Sequence, residues 1–496
     1  MQQDILINIE AGERRVAILR DKKLEWYFVE RVSEKRIVGN IYKGVVTSVL
    51  NGMGAAFVDF GLGKNGFLYV DDIIPQDVDE DDAEPAPRKK NNRHRHNTRI
   101  SDIVKKGQEV MVQAEKESLG TKGARLTTHL SLPGRYLVLM PSLGRNGVSR
   151  KIKDDKERSR IKSILNEIKL PDGIGLVART AAEGCDKRDI LRDVNYLLDT
   201  YNKINKAFKE QQAPALLFEE YDIGLKMIRD FLNKDTVSIM VDEKQEFKRL
   251  KAFTQRIAPK YRNRIGFHNA NLPLFEKFNI EAEIDRLFER KIFLKCGGYI
   301  TIEQTEGMIA IDVNSGRFTG KKNLGDTIFK VNREAAEEIA RQLRLRDIGG
   351  IVIIDFIDME LAAQRKETLS ILQEALKKDK ARTNIISFSE LNVVEMTRQR
   401  VRKSLESVSY ENCPYCRGKG MVKSDEAMVT LVLRKLKSFI KTNRKKKDIE
   451  VCVHPKIASR LVNQDAPAID NLKRLFRRRV LVVSDETLHI EEINIK

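Results

Sequence analysis

The sequence has little tryptophan, histidine and cysteine, and it has no long apolar run. Its 496 residues include one tryptophan, six histidines and five cysteines. An odd number of cysteines spread over a long chain excludes a disulfide framework of the kind that small secreted domains use. No stretch approaches the roughly 20 apolar residues that a membrane span needs. The first residues carry acidic side chains and no apolar signal region. We therefore expect a reduced, cytoplasmic chain without a membrane span.

Positive charge is what the sequence has in excess. Lysine and arginine number 91 against 72 aspartates and glutamates, which gives a formal net charge of +19. Such an excess favours a polyanionic partner, most commonly a nucleic acid, and a basic protein without such a partner is the alternative. The hydrophobic content of 41% suffices for folded cores, and the length allows about three or four domains.

The order of apolar runs along the chain predicts a mixed α/β protein of several domains. Short β-rich runs separated by Gly, Asn and Lys fill residues 39–73 and resume before residue 130, which predicts a small antiparallel barrel of the OB type. Between them, residues 77–99 form an acidic block followed by prolines and a basic block, which predicts a charged loop insertion. Residues 298–356 have the pattern of a βαβ unit, and a small α/β region follows residue 425. There are no internal repeats.

Two apolar runs end in an aspartate on either side of one predicted helix. Residues 309–311 precede Asp312, and residues 351–354 precede Asp355. A strand–helix–strand connection makes the strands parallel, so the two aspartates meet at one edge if the strands are neighbours. Adjacent carboxylates repel unless a cation lies between them, and oxygen ligands suit Mg²⁺. Asn314 lies on the same face as Asp312 and is placed to orient a carboxylate or phosphate. The alternative is that both aspartates cap the turns that follow.

The stretch "NCPYCRGKG" carries two cysteines, Cys413 and Cys416, with the spacing of a zinc knuckle. A structural zinc needs four ligands, and Cys185, Cys296 and Cys452 are scattered singly. Two chains that each contribute the pair would close a Cys₄ site across a dimer interface. A metal-free turn is one alternative. A redox pair is less favoured, because a thioredoxin-type motif opens a helix after a strand, whereas this one lies in a Gly-rich stretch.

Two further groups of residues suggest contacts with RNA. Phe57 and Phe67 lie among glycines and basic residues of the predicted barrel. Exposed aromatic rings on such a barrel stack on bases, and burial of both rings in the core is the alternative. Arg179 and Thr180 follow an apolar strand and offer a guanidinium fork and a hydroxyl to a phosphate. A surface ion pair of Arg179 is the alternative.

The combined motifs resemble the bacterial ribonuclease E/G family. The matching stretches occur in family order over about residues 1–425, and they are "AAFVDFG…NGFL", "TKGARLTTHLSLPGRYLVLMP", "GLVART", "AIDVNSGR", "EIARQLRLRDIGGIVIIDFIDM", "EMTRQR" and "CPYCRGKG". The chain ends at Lys496 without a long disordered scaffold, which favours the ribonuclease G branch of the family.

The resemblance implies a Mg²⁺-dependent endoribonuclease specific for single-stranded RNA. Such an enzyme leaves 5′-phosphate and 3′-hydroxyl ends, responds to a 5′-monophosphate on its substrate, and acts in 5′-end maturation of ribosomal RNA and in mRNA turnover. It forms a homodimer, and whether dimers pair into tetramers is left open. By motif, the implied roles are metal-binding catalysis for Asp312 and Asp355, catalysis for Asn314, RNA binding for Phe57, Phe67 and Lys122, 5′-phosphate sensing for Gly134, Val138, Arg179, Thr180 and Arg382, and Zn²⁺ ligation between two chains for Cys413 and Cys416.

The resemblance also implies a domain order. It comprises an RNase H-like subdomain split into residues 1–38 and 225–287, an OB-type RNA-binding barrel over 39–130, a 5′-sensor region over 131–224, a DNase I-like catalytic subdomain over 288–405, a zinc link over 406–424 and a small C-terminal α/β domain over 425–496. The charged insertion 77–99 departs from the family pattern, and it either extends RNA contacts or decorates a loop. Two rival functions are a non-catalytic RNA-binding or ribosome-assembly factor and a polyanion-binding structural dimer. Neither rival would show EDTA-sensitive cleavage.

Overall fold

A computed structural model describes residues 2–10, 12–31, 36–73, 99–117, 123–316, 324–400 and 404–496. Lys122 and nearly all of the predicted insertion 77–99 lie outside these residues. The chain divides into two compact units, Met1–Val408 and Ser409–Lys496. Of the helices described, none is both long enough and apolar enough to cross a membrane.

The strands of the described residues are numbered here in chain order. They are β1 (Gln3–Glu10), β2 (Glu13–Arg20), β3 (Lys23–Arg31), β4 (Ile41–Leu50), β5 (Ala55–Asp59), β6 (Gly66–Tyr69), β7 (Glu109–Lys116), β8 (Arg125–Thr127), β9 (Leu132–Pro133), β10 (Leu137–Met140), β11 (Gly147–Val148), β12 (Gly175–Ala178), β13 (Ala215–Phe218), β14 (Thr236–Val241), β15 (Ile265–Phe267), β16 (Lys291–Phe293), β17 (Tyr299–Gln304), β18 (Met308–Asn314), β19 (Gly350–Asp355), β20 (Thr383–Phe388), β21 (Val393–Arg398), β22 (Asp448–Val453), β23 (Arg479–Ser484) and β24 (Ile493–Ile495).

The helices alternate with these strands, as the mixed α/β prediction requires. They are α1 (Asp155–Asn166), α2 (Lys187–Glu210), α3 (Ile223–Phe231), α4 (Lys244–Ile257), α5 (Leu274–Lys277), α6 (Glu281–Asp285), α7 (Leu324–Leu345), α8 (Ala362–Leu376), α9 (Leu405–Ser409), α10 (Asp425–Thr442), α11 (Pro455–Val462) and α12 (Ala466–Phe476).

The first sheet joins two distant parts of the chain, in the strand order β15-β14-β1-β2-β3. Strands β1 to β3 form an antiparallel meander, whereas β14 and β15 add in parallel beside β1. Its core packs against α3 and α4 and includes Ile5, Trp26, Ile228 and Leu250. The start of the chain therefore completes its sheet only with strands from residues 236–267.

A closed barrel is present where the sequence predicts one. Strands β4, β5, β6, β8 and β7 follow one another, and β7 pairs back with β4. Two glycines admit close packing inside it: a Cβ on Gly44 would lie 2.5 Å from Val58 Cγ1, and a Cβ on Gly66 would lie 2.5 Å from Leu126 Cδ1. Strand β13 extends the barrel sheet beside β4, an addition that the sequence analysis missed. The region after the barrel holds a four-stranded sheet, β11-β12-β10-β9.

A six-stranded sheet with the order β16-β17-β18-β19-β21-β20 occupies the last part of the larger unit. Strands β18 and β19 are parallel neighbours on either side of α7, as the strand–helix–strand pattern predicts. Helices α7 and α8 cover one face, where Ile311, Ile339, Val352 and Leu372 are buried. The opposite face carries the alternate residues of each strand, which are more exposed. The sheet thus has one packed face and one open face.

The second unit is a small α/β fold. Strands β23, β22 and β24 form a three-stranded sheet, and its core packs against α10, α11 and α12. Ser424 caps α10 by accepting a hydrogen bond from the backbone N–H of Ala427. The C-x-x-C stretch lies in turns ahead of α10.

Candidate active site and RNA-contacting residues

Asp312 and Asp355 are register partners at the carboxyl ends of β18 and β19. Because the buried Val313 and Ile354 point toward the helices, the alternation of a strand turns both aspartates to the open face. Neighbouring strands lie about 4.8 Å apart, so the two carboxylates stand side by side. In the part of the chain that the structure describes, neither aspartate caps a turn or helix and neither is ion-paired with a lysine or arginine.

The surroundings of the two carboxylates disfavour a second negative charge. Asn314 Nδ2 donates a hydrogen bond to Asp312 Oδ2 at 2.6 Å. Burial, with the nearby carboxylates of Asp312 and Asp358, raises the pKa of Asp355 above its ordinary value. The site lies in a depression of about 320 Å³, which is lined by Thr301, Glu303, Ala310, Ile311, Asp312, Ile353, Asp355 and Val393.

The donor set of this depression fits Mg²⁺. No group of three or more His, Cys, Asp or Glu side chains placed to hold a metal is found among the described residues. Mg²⁺ in proteins commonly takes only one or two carboxylates, keeps several waters and accepts substrate phosphate oxygens. Two adjacent carboxylates on an open face, steadied by the Asn314 amide, are such a set.

The barrel brings Phe57 and Phe67 together. They are cross-strand partners on β5 and β6, and their ring centroids are 4.8 Å apart at an interplanar angle of 53°. Both rings are half-buried and lie outside the buried core of the barrel. The alternative of two core rings is therefore wrong, although the RNA-binding role of the pair stays a prediction.

The predicted sensor residues gather around the small sheet that follows the barrel. Arg179 Nη1 donates a hydrogen bond to the carbonyl oxygen of Gly134 at 2.6 Å, and Arg179 Nη2 pairs with Asp230 Oδ1 at 2.7 Å. Val138 pairs with the strand that precedes Arg179. Thr180 follows Arg179 and is exposed. The ion pair that was the alternative for Arg179 is thus present.

The last predicted sensor residue, Arg382, comes from the six-stranded sheet. It precedes β20 and is exposed. Two residues earlier, Lys380 Nζ donates a hydrogen bond to the backbone carbonyl of Asp230 at 2.8 Å. The segment that carries Arg382 is therefore hydrogen-bonded to Asp230, the residue that pairs with Arg179.

Asp193 orders the loop beside Arg179, and the sequence analysis missed it. Its carboxylate is almost fully buried and accepts backbone N–H bonds from Arg135 at 3.1 Å, Tyr136 at 2.8 Å and Leu137 at 2.9 Å. A Cβ on Gly134 would lie 2.6 Å from Asp193 Oδ2. Glycine at position 134 is therefore needed for the close approach of this carboxylate.

Cys413 and Cys416 lie in the second unit with two residues, Pro414 and Tyr415, between them. Cys413 is exposed, and Gly420 N donates to Cys416 Sγ at 3.3 Å. Backbone N–H groups of Cys416 and Tyr415 lower the pKa of the Cys413 thiol, which favours the thiolate that binds zinc. Of the described residues, no third thiol, imidazole or carboxylate joins them, so one chain offers two ligands.

Three family models match successive parts of the chain. Residues 131–401 match the ribonuclease E/G family, residues 35–129 match the S1 RNA binding domain, and residues 412–496 match the RNase E/G thioredoxin-like domain. The first match covers more than half of the chain.

The chain belongs to the ribonuclease E/G family.

Similar proteins span nearly the whole sequence. Ribonuclease G of Escherichia coli (strain K12) is 42% identical over 439 residues, which are 88% of each chain. Ribonuclease G of Haemophilus influenzae is 36% identical over 495 residues, or 99% of each chain. Ribonuclease E of E. coli K12 is 36% identical over 503 residues, which cover 99% of this chain but 46% of that protein.

The family assignment confirms the predicted recognition, the OB-type RNA-binding barrel and, at the level of the family, an endoribonuclease of RNA processing. It refines the C-terminal region, which the sequence analysis described only as small α/β and which matches a thioredoxin-like domain. The C-x-x-C pair precedes α10 by several turn residues, so it does not open a helix after a strand as a thioredoxin-type redox motif does.

Proposed function

We propose that this chain is a Mg²⁺-dependent endoribonuclease that cuts single-stranded RNA, leaves 5′-phosphate and 3′-hydroxyl ends, and is stimulated by a 5′-monophosphate on its substrate. Its substrates are precursors of ribosomal RNA and messenger RNAs of the bacterial cytoplasm. The relatives named ribonuclease G and ribonuclease E support the reaction class, and the S1 match supports RNA as the partner. The observation that carries the proposal is the register pairing of Asp312 with Asp355 on the open face.

In this proposal Asp312 and Asp355 hold the metal ion through their carboxylate oxygens. Their adjacent like charges fit a divalent cation. When bound, Mg²⁺ supplies charge stabilisation at the scissile phosphate and lowers the pKa of a water molecule. Asn314 positions Asp312, because its amide donates to Oδ2 at 2.6 Å and leaves Oδ1 available as a ligand.

The barrel holds the single strand in register with these residues. The tilted Phe57–Phe67 pair offers ring surface to a base, and base–aromatic stacking contributes about 1–3 kcal/mol per base. Lys122 is assigned to the same grip from the family resemblance alone. Positioning of the strand matters because an in-line geometry at the phosphate supplies much of the rate in such reactions.

The 5′-monophosphate is bound at the cluster around Arg179. The guanidinium is oriented by its bonds to Gly134 and Asp230 and has further N–H donors in its plane. The Thr180 hydroxyl adds another donor, and Arg382 brings a second positive charge from the adjoining segment. Gly134 and Val138 line this position. Support comes from the hydrogen bond of Arg179 to Gly134 and from the attachment of Lys380 to Asp230.

We assign a structural Zn²⁺ to Cys413 and Cys416 together with the same pair of a second chain. The exposed position of Cys413, its lowered pKa and the absence of further ligands in the described part of the chain support a shared site. The protein would then be a homodimer, and tetramers would need a further interface.

Finer fold names belong to the same proposal. The first sheet, with three antiparallel strands and two parallel strands beside β1, supports an RNase H-like subdomain split into residues 1–38 and 225–287. The open six-stranded sheet supports a DNase I-like catalytic subdomain over 288–405. The sensor region spans 131–224, the zinc link spans 406–424, and the small domain spans 425–496.

The proposal is tested by Asp312→Asn and Asp355→Asn, each assayed on a 5′-monophosphorylated single-stranded oligonucleotide. Each change removes one negative charge from the metal site and keeps the shape of the side chain. We expect cleavage to fall by at least about 100-fold, the usual effect of removing one group that stabilises transition-state charge. Affinity for the oligonucleotide should change little.

The matched control is Asp285→Asn, the same chemical change at an exposed position of α6, which should cleave as the wild type does. Cleavage by the wild type should stop in EDTA and return with added Mg²⁺. If both active-site variants cut at the wild-type rate, the catalytic assignment is wrong. If the wild type binds RNA but never cuts it, the chain is a non-catalytic RNA-binding factor.

A further inference from the structure

The open face of the six-stranded sheet carries an aromatic pair beside the two aspartates. Phe293 on edge strand β16 is 70% exposed, and it is the register partner of Tyr299 on β17. The two ring centroids are 6.2 Å apart at an angle of 58°. A single exposed phenylalanine is ordinary, but Phe293 and Tyr299 form a contiguous aromatic surface on this face, and contiguous apolar surfaces mark interaction sites.

A lysine completes the cluster. Lys291 Nζ lies 3.5 Å from the centroid of the Tyr299 ring and 5.1 Å from that of Phe293. In the described part of the chain, no carboxylate pairs with this ammonium. The cluster therefore combines the exposed Phe293 ring with a positive charge held over Tyr299, and sequence-tolerant sites for single-stranded nucleic acid combine aromatic rings with positive charge in this way.

The strand register ties this cluster to the candidate active site. One row across the sheet runs from Lys291 to Thr301, Asp312 and Asp355. The next row on the same face consists of Phe293, Tyr299 and Asn314. Two interstrand spacings of about 4.8 Å separate Phe293 from Asn314. By strand spacing, Phe293 is thus about 10 Å and Tyr299 about 5 Å from Asn314, on the same face.

The hairpin that carries the rings is fixed to the rest of the domain. Leu294 N donates to the Gly298 carbonyl at 2.8 Å, and Gly297 takes a φ of +98° that favours glycine. Cys296 N donates to Glu334 Oε2 on α7 at 2.9 Å. Helix α7 also packs beneath β18, so it supports both the rings and the aspartates. Both groups are therefore ordered before RNA binds, and binding costs little conformational entropy there.

We propose that Lys291, Phe293 and Tyr299 form a subsite that stacks one nucleobase of the single-stranded RNA next to the scissile phosphate, with Lys291 pairing a backbone phosphate. The inference deepens the proposed function, on which it rests, by adding a base-binding position on the catalytic sheet to the grip of the barrel. It accounts for the exposed Phe293, which no part of the proposed mechanism uses otherwise.

The test is an abasic scan of a labelled oligonucleotide with a single cleavage site, using the full chain. Binding is measured in the Asp355→Asn background so that the RNA stays intact, and cleavage is measured in the wild-type background. Stacking of one base corresponds to about 5- to 150-fold in affinity. When Phe293 is present, we expect one abasic position in the RNA to weaken binding by that factor. Phe293→Ala should bind the intact RNA more weakly by the same factor, and an abasic residue at that position should not weaken its binding further.

Three further variants sharpen the result. Phe293→Trp should restore affinity, because any aromatic ring serves for stacking. Lys291→Ala should reduce the slope of log K against log salt by about 0.7, the contribution of one phosphate contact on a single strand. Leu391→Ala is the matched control: this leucine is 84% exposed between β20 and β21, and its loss should change nothing.

The outcomes separate this inference from the proposed function. If Phe293→Ala shows the same abasic profile as the chain with Phe293, the subsite is absent, while an inactive Asp355→Asn leaves the nuclease assignment standing. If Phe293→Ala instead lowers the oligomeric mass and weakens RNA binding equally at all positions, the ring is a contact between copies and the inference is overturned. If the wild-type chain neither binds nor cuts the oligonucleotide, both proposals fail.

Discussion

Asp193→Asn is the change for which the structure gives the sharpest expectation. The carboxylate of Asp193 accepts three backbone N–H bonds: Oδ2 accepts those of Tyr136 and Leu137, and Oδ1 accepts that of Arg135. Asparagine keeps one oxygen and replaces the other with an NH₂ group. If the oxygen keeps the two bonds of Oδ2, the Arg135 N–H faces an NH₂ donor and loses its acceptor.

The magnitude follows from this one lost bond. A hydrogen bond to a charged group contributes about 1.5–3 kcal/mol, and a buried donor left without a partner costs about 1–3 kcal/mol. We expect about 2–3 kcal/mol of local destabilisation of the loop that contains Gly134. Because the Gly134 carbonyl holds Arg179, part of this free energy should appear as weaker binding of a 5′-phosphate.

The assay compares cleavage of two oligonucleotides that differ only in their 5′ end, a monophosphate or a hydroxyl. The ratio of their kcat/KM values cancels any general loss of folded enzyme. We expect Asp193→Asn to lower this ratio several-fold, while the rate on the 5′-hydroxyl RNA stays near wild type. Thr180→Ala should lower the same ratio without the loss of stability, because its side chain is exposed.

An unchanged ratio would refute the reasoning. If Asp193→Asn lowers both rates equally, Asp193 acts on the fold alone and does not position Arg179. If the ratio and the thermal midpoint both match the wild type, the three backbone bonds do not carry the stability assigned to them.

Three other predictions concern different parts of the chain. Asp379→Ala should destabilise the larger unit by about 1.5–3 kcal/mol, since Arg398, 3% exposed, loses its buried partner and keeps Asp347 at 3.0 Å; calorimetry should show a lower midpoint. Phe67→Ala should weaken single-stranded RNA binding by about 1–3 kcal/mol, measured by fluorescence anisotropy. With zinc chelated at pH 8, iodoacetamide should alkylate Cys413 first, because backbone N–H donors lower the pKa of its thiol. Cys185 should react last, because burial raises the pKa of its thiol to about 11. Mass spectrometry after timed quenching would give the order.

The position of the two aspartates could be predicted because it depends on local pattern and one topological rule. An apolar run before Asp312 and another before Asp355 indicate two strands, and the helix between them makes the strands parallel. Period-2 alternation then places both side chains on one face. No long-range information is needed beyond the assumption that the strands are neighbours.

The residues that the sequence analysis missed depend on contacts distant in the chain or on strand register. Asp193 meets its three N–H donors across more than fifty residues, and nothing in the local pattern of α2 marks one of its aspartates. Phe293 and Tyr299 face solvent because of the register of a short hairpin, and apolar residues in a strand ordinarily predict the buried face. Phe293 lies before the Gly-Gly turn of this hairpin and Tyr299 lies after it, and that arrangement was the available signal.

The first sheet has a consequence for synthesis on the ribosome. Strand β1 pairs with β14, and about 200 residues separate β3 from β14. At roughly 5–20 residues per second, translation of that interval takes about 10–40 s. During this time the nascent meander presents an unpaired β1 edge, the kind of edge that recruits foreign strands. Slow translation across the barrel would lengthen the exposure, so chaperone dependence should rise with delay there.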